Sequence, residues 1–217
     1  GRAGAAGRRS PYKEGRAAAR RVGQALLDRG LGAERPVAIL SDNGIDHALL
    51  ALGAMHVGVP VAPVSPAYSL MSQDFAKLSA IIDLTRPGLI YVADHGRYGP
   101  ALAAIRDHHD AVVVSGSGGH GTGGVLSFND LTGEPDAGMV AERFQPIGPD
   151  TGAKILFTSG STGEPKGVIN TQSMLCSNQQ ARAQVWPLLE RQPPVIVDWL
   201  PWSHTFGGNH NFNLILR

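Results

Sequence analysis

One cysteine, Cys176, in 217 residues leaves no partner for an internal disulfide and fits a reducing compartment, the cytoplasm. Leu175-Cys176-Ser177 reads as helix with no histidine beside it, so packing rather than nucleophilic chemistry is expected of that thiol. Charge of one sign is lacking too: 19 basic residues stand against 18 acidic ones, so composition calls for no polyanionic partner. Arg2, Arg8, Arg9, Arg16, Arg20 and Arg21 do crowd the start, but without interleaved aromatics they read as a solvated face rather than a nucleic-acid contact. Long apolar runs are missing. The longest stretch, 48–64, is broken by His56, Gly58 and Pro60 and is too short for a bilayer, and no secretory signal opens the chain. Metal-type clusters are sparse as well. Asp107-His108-His109-Asp110 cannot converge on one ion from adjacent positions, His204 and His210 lack a third ligand, and Glu142 and Asp150 form no defined carboxylate pair, so no metal site is expected.

What is present is a βα alternation in a chain long enough to bury one sizeable core or two small ones. Helical spacing marks 14–29, stopped by Gly30, then 45–57 with Ser41 or Asp42 as cap, then 73–84 and 101–106. Strand-like apolar runs stand at Val37-Ala38-Ile39-Leu40, Leu89-Ile90-Tyr91-Val92, Val112-Val113-Val114 and Val195-Ile196-Val197. The run 59–64 carries Pro60 and Pro63 and is expected at a sheet edge or as a short extended piece. This order predicts an α/β fold with a mostly parallel sheet flanked by helices. The glycine-rich stretch 115–124 lacks a lysine and reads as a surface linker. With the Pro/Gly-broken segment after it, it places a soft subdomain boundary near 115–150.

Chemistry concentrates in Phe157-Thr158-Ser159-Gly160-Ser161-Thr162-Gly163-Glu164-Pro165-Lys166-Gly167. Its glycines let a backbone approach an anion, its four hydroxyls donate hydrogen bonds, and Lys166 supplies a compact cation. That inventory suits a polyphosphate, with a structural turn as the alternative. Pro165 and Lys166 argue against a plain linker, and the Walker pattern counted from Gly160 fails because it needs a glycine where Pro165 stands. Further on, Leu200-Pro201-Trp202-Ser203-His204-Thr205-Phe206-Gly207-Gly208 follows the apolar run at 195–197. Pro201 stops strand pairing, Gly207-Gly208 frees the backbone, and Asn209 is placed to cap a helix. Trp202, His204 and Phe206 would then stand at the mouth of a sheet, where open α/β folds bind ligands, with aromatic core packing and a structural histidine as the alternatives.

The run Thr-Ser-Gly-Ser-Thr-Gly-x-Pro-Lys-Gly resembles the signature loop of the adenylate-forming superfamily, which holds acyl-CoA and aryl-CoA synthetases, peptide-synthetase adenylation domains and beetle luciferases. Leu200-Pro201-x-x-His204 resembles that superfamily's next motif. Residues 198–213, 61–70, 167–171 and 174–176 are similar to the feruloyl-CoA synthetase branch, which activates hydroxycinnamates.

The resemblance implies an aromatic acid activated by ATP, with Mg2+, and passed to coenzyme A. It implies a phosphate loop of Thr158, Ser159, Gly160, Ser161, Thr162, Gly163 and Lys166, with Lys166 and His204 as catalytic residues. An acyl side of Trp202, His204, Phe206, Gly207 and Gly208 is implied as well. The family's Tyr-Gly-x-Thr-Glu and Thr-Gly-Asp segments, its hinge and its C-terminal lysine do not occur before Arg217. The chain is therefore expected to be the first part of a large N-terminal AMP-binding domain, without the C-terminal domain and inactive alone. An adenylating enzyme with a carrier-protein acceptor, or a non-catalytic nucleotide-binding module, are the alternatives.

Overall fold

A computed structural model describes residues 11–121, 123–133, 137–158, 163–192 and 195–216. Helix α1 (Tyr12–Asp28) leads to β1 (Val37–Leu40), α2 (Ile45–His56) and β2 (Val61–Pro63). Then come α3 (Pro66–Leu70), α4 (Ala76–Thr85), β3 (Leu89–Val92), α5 (His95–Ala104) and β4 (Val112–Ser115). Next are β5 (Leu126–Ser127), α6 (Ala137–Phe144), β6 (Gly152–Thr158) and β7 (Lys166–Thr171). The last elements are α7 (Gln172–Val185), α8 (Leu188–Arg191), a π-helical turn at Phe206–Asn211 and α9 (Phe212–Leu214).

The strands form one seven-stranded sheet in the order β5-β4-β3-β1-β2-β6-β7, parallel throughout except for the antiparallel pair β6–β7. Every residue of β1 and β3 is buried, as a parallel sheet covered on both faces requires. Strand alternation splits them between two cores. Val37, Ile39, Leu89 and Tyr91 pack with Val22 and Leu26 of α1 and Leu50 and Ala54 of α2. Ala38, Leu40, Ile90 and Val92 pack with Leu78, Ile81 and Ile82 of α4 and Tyr98 of α5. Helices α1 and α2 touch closely where Gly53 faces Ala19 and Val22: a Cβ at Gly53 would lie 2.6 Å from the Ala19 carbonyl oxygen. Segment 115–150 contributes β5 to the same sheet and Phe128, Leu131 and Val140 to the first of these cores.

Several sequence expectations need correction. Of the two expectations for the proline-bearing run, the short extended piece holds and the edge does not: β2 is 3 residues long and lies between β1 and β6, with Pro60 preceding it and leaving its carbonyl to accept from Val37 N (2.9 Å), while Pro63 ends it. Neither Ser41 nor Asp42 caps α2. Gly44 holds that position, Ser41 Oγ meets His47 Nδ1 at 3.1 Å, and Asp42 pairs with Arg97. Helix α5 starts at His95, well before residue 101, because the Asp94 carboxylate accepts from Arg97 N (2.8 Å) and Pro100 is accommodated inside the helix. Helix α4 starts later than residue 73, since Phe75 takes a left-handed backbone with φ 52°. Residues 195–197 form no strand: Val195 and Val197 are 98% and 91% exposed, and none of the seven strands pairs with them.

Candidate functional site

Strands β6 and β7 form a hairpin whose last register pair is Thr158 opposite Lys166. The glycine- and hydroxyl-rich run therefore leaves and re-enters the sheet at one point, with an exposed cation at its neck. Ser159, Gly160, Ser161 and Thr162 lie outside the described residues. Gly163 takes φ +81° with open space around it, a conformation that suits glycine at the loop's return. Gly163 and Glu164 line a depression with Tyr68, Met71, Ser72, Asp74 and Lys77. Lys77 adds a second cation near the loop, with its ammonium 5.6 Å from the Tyr68 ring centroid. Sequence reading passed over it because its helix gave no motif.

The second motif is a compact turn fastened from several elements. Asn43, just after β1, donates to the Leu200 carbonyl (2.8 Å) and accepts from Trp202 N (2.9 Å). Asp198 accepts from Leu200 N, Trp202 Nε1 and Asn211 Nδ2 at 3.2, 3.0 and 2.9 Å. Burial would raise the Asp198 pKa, but the hydrogen bonds from Asn211, Trp202 and Leu200 outweigh it and hold the carboxyl below its usual value. These bonds fasten Asp198 to the turn, while Val195, Val197 and Trp199 stay exposed.

Within the turn, His204 N donates to the Pro201 carbonyl and the His204 carbonyl accepts from Gly208 N (2.7 Å), leaving the His204 side chain exposed. Gly207 and Gly208 are buried, and each would put a Cβ 2.3 Å from a backbone oxygen, that of Pro201 and of Trp202 respectively. They are needed for close approach rather than for conformational freedom. Asn209 caps nothing. It lies inside the π-helical turn and donates to Asn170 Oδ1 on β7 at 2.8 Å.

The three aromatic-motif side chains do not converge. Trp202 turns inward, edge-on to His47 (5.2 Å between centroids) and to Phe212 (4.7 Å). Phe206, 59% exposed, stacks outward on His210 at 4.4 Å. Trp202 also lines a cavity of about 830 Å³ between α1, α2 and Phe212, whose lining includes neither His204 nor Lys166.

Hydrogen bonds tie the hairpin strands and α7 to the turn. Besides the Asn170–Asn209 bond, Lys154 of β6 donates to the Gly208 carbonyl at 2.6 Å, and from α7 Gln179 and Arg182 donate to the carbonyls of Asn209 (3.1 Å) and His210 (2.9 Å). Burial brings Lys154 down to about 8. His47 falls to about 4, mainly by burial, with a backbone bond to Asp42 opposing and the charge of Lys154 reinforcing the shift. At neutral pH the imidazole is therefore uncharged.

Among the described residues no group of three His, Cys, Asp or Glu could hold a metal ion. His108 is paired with Asp83 and Asp110 with Arg35, while Cys176 is exposed. Among them, too, no helix is long and apolar enough to cross a membrane.

The fold is shared by known proteins. The ATP-bound structure of MatB from Rhodopseudomonas palustris superposes with a TM-score of 0.70 at 25% identity, covering 98% of this chain and 39% of that one. Sulfoacetate–CoA ligase of Cupriavidus necator is 31% identical over 157 residues, 72% of this chain and 28% of that protein. A probable non-canonical nonribosomal peptide synthetase of Salinispora arenicola, CymA, is 29% identical over 178 residues, 81% of this chain and 2% of that protein. The chain thus spans a small part of the length of these curated relatives. The model of the AMP-binding enzyme family matches residues 3–217, nearly the whole chain, with the hairpin and the His204 turn both inside it, and the chain belongs to that family.

Proposed function

We propose that the full-length protein carrying this chain is an acid–thiol ligase, and that the chain is the first part of its large N-terminal domain. The carboxylate oxygen of an acid attacks the α-phosphorus of ATP, the bond to the bridging oxygen breaks, and pyrophosphate leaves an acyl-adenylate. The sulfur of coenzyme A then attacks the acyl carbon and AMP departs. The single observation that carries this reading is the hairpin neck, where Thr158 is paired with Lys166. Donors from Thr158, Ser159, Gly160, Ser161, Thr162 and Gly163, with the Lys166 ammonium, would meet the charge that grows on the departing pyrophosphate. Magnesium would arrive with the triphosphate, since that ion needs only phosphates and one or two carboxylates.

His204, exposed on its turn, is assigned to the acid's carboxylate, with Gly207 and Gly208 holding the turn close beneath it. The favoured acid is a hydroxycinnamate. Its support is the wording of residues 198–213 and the open Phe206–His210 stack, which offers a flat apolar face. Trp202 would then act from below, as packing under the turn. A second reading, with a carrier-protein thiol as acceptor, draws on the similarity to the peptide synthetase.

AMP release by the full-length protein is the test, with ferulate and 4-coumarate set against acetate and palmitate, each with coenzyme A or a phosphopantetheinylated carrier. Hydroxycinnamate with coenzyme A should be fastest. A preference for palmitate rejects the aromatic assignment, and turnover only with the carrier rejects coenzyme A.

A further inference from the structure

Lys154 breaks the pattern of its strand. It lies between Ala153 and Ile155 in β6 and is 3% exposed, a place where an apolar residue would be expected. Burying an ammonium is costly unless its hydrogen bonds are satisfied, and an apolar residue of similar size often serves stability as well or better. The ion pairs among the described residues, Arg35–Asp110, Arg97–Asp42 and His108–Asp83, do not involve it. Its contacts belong instead to one place. Nζ donates to the Gly208 carbonyl at 2.6 Å and stands 4.8 Å from the Phe212 ring centroid. Gly208 closes the backbone loop that begins at His204, through its N–H on the His204 carbonyl. Along the strand from Lys154, β6 ends at Thr158, opposite Lys166.

We propose that Lys154 is a positioning residue that pins the His204 turn to the strand feeding the phosphate loop, so that acid and nucleotide are held in one fixed relation. This rests on the adenylation reading above. Asn170, Gln179 and Arg182 fasten the same turn from β7 and α7, but Lys154 alone among these four reaches it from β6. Its ammonium is buried against Phe212 and so acts through the turn rather than on either substrate. Although burial lowers its pKa to about 8, the group stays mostly charged at neutral pH, and a charge-assisted bond is stiffer than a neutral one.

The test is acid-dependent ATP–pyrophosphate exchange by the full-length protein, with acid and ATP varied separately, in Lys154→Met and Lys154→Gln. Lys154→Met should lower kcat/KM for the acid by about ten- to a hundredfold, leave KM for ATP within about twofold, and leave Tm unchanged or higher. Lys154→Gln, which keeps an N–H donor, should recover part of the loss. Wild-type kcat/KM for the acid in Lys154→Met would overturn the proposal, as would a KM for ATP raised as far as the KM for the acid together with a lowered Tm. Hydrogen exchange decides it independently if Lys154→Met is insoluble. In Lys154→Gln, faster exchange confined to 202–212 supports the pin, and exchange raised equally through β1–β4, or unchanged at 202–212, overturns it. A wild-type protein with no acid-dependent exchange would instead refute adenylation, and the hydrogen-exchange arm would still decide the pin.

Discussion

Gly208→Ala puts one methyl group into the tightest part of the turn. Its Cβ would sit 2.3 Å from the Trp202 carbonyl oxygen and 3.2 Å from that carbonyl carbon, both backbone atoms that no rotamer change can move aside. A carbon and an oxygen in contact settle near 3.3 Å, so the turn must open by roughly 1 Å. Overpacking of this kind costs about 1–3 kcal/mol. The same displacement moves the Gly208 carbonyl off Lys154, and losing a charge-assisted bond to a buried ammonium costs about 1.5–3 kcal/mol more. The two terms share one movement and will not add in full. For catalysis the displacement matters more than the stability, because a misplacement of about 1 Å at a reacting group can cost on the order of a hundredfold in rate. The expected result is therefore a folded full-length protein with a lowered Tm and a large loss in acid-dependent pyrophosphate exchange. Exchange and Tm both at wild-type values would show that the close approach is not required, and that glycine at position 208 is not there to permit it.

Two further outcomes follow from charge. Lys166→Ala in the full-length protein should slow pyrophosphate exchange by about ten- to a thousandfold with little change in Tm, because the side chain is exposed; exchange at the wild-type rate would remove it from the phosphate site. His47 should make the fold acid-sensitive: its folded pKa of about 4 lies below the ordinary 6.5, so the unfolded chain binds the proton first and stability falls as pH drops from about 6.5 to about 4. His47→Asn should flatten that part of a Tm–pH curve, and an unchanged slope would show that His47 is not its source.

Much of the fold was legible because its information is local. Val37–Leu40 and Leu89–Val92 are short, almost wholly apolar runs, and only a strand covered on both faces uses such a run efficiently. The failures have local causes too. Pro60 and Pro63 look like edge signals, yet Pro60 lies just before β2 and Pro63 at its end, where a missing N–H breaks no ladder within the strand. Pro100 hid the first turns of α5 for the opposite reason: helix interiors rarely hold proline, and the Asp94 cap outweighed that expectation. Val195-Ile196-Val197 has strand composition, but composition cannot show whether a neighbouring strand lies alongside.

For the site, residue types were legible and relations were not. Glycines, hydroxyls and a lysine gathered in one run declare themselves, whereas the pairing of Thr158 with Lys166 is visible only once β6 and β7 lie side by side. The contacts that fix the second motif come from far along the chain: Asn43, Lys154 and Asn170 each bond to a residue of the turn. Nearness in sequence also misled. Trp202 and Phe206 flank His204 in order, but the turn sends Trp202 into the core against His47 and Phe206 out onto His210. One signal was available in advance. A lysine inside the apolar strand Ala153-Lys154-Ile155-Leu156-Phe157 violates the pattern of its own element, and a buried charge persists only where something polar meets it. That something is the Gly208 carbonyl, so the misfit in β6 marks where the strand that ends opposite Lys166 takes hold of the His204 turn.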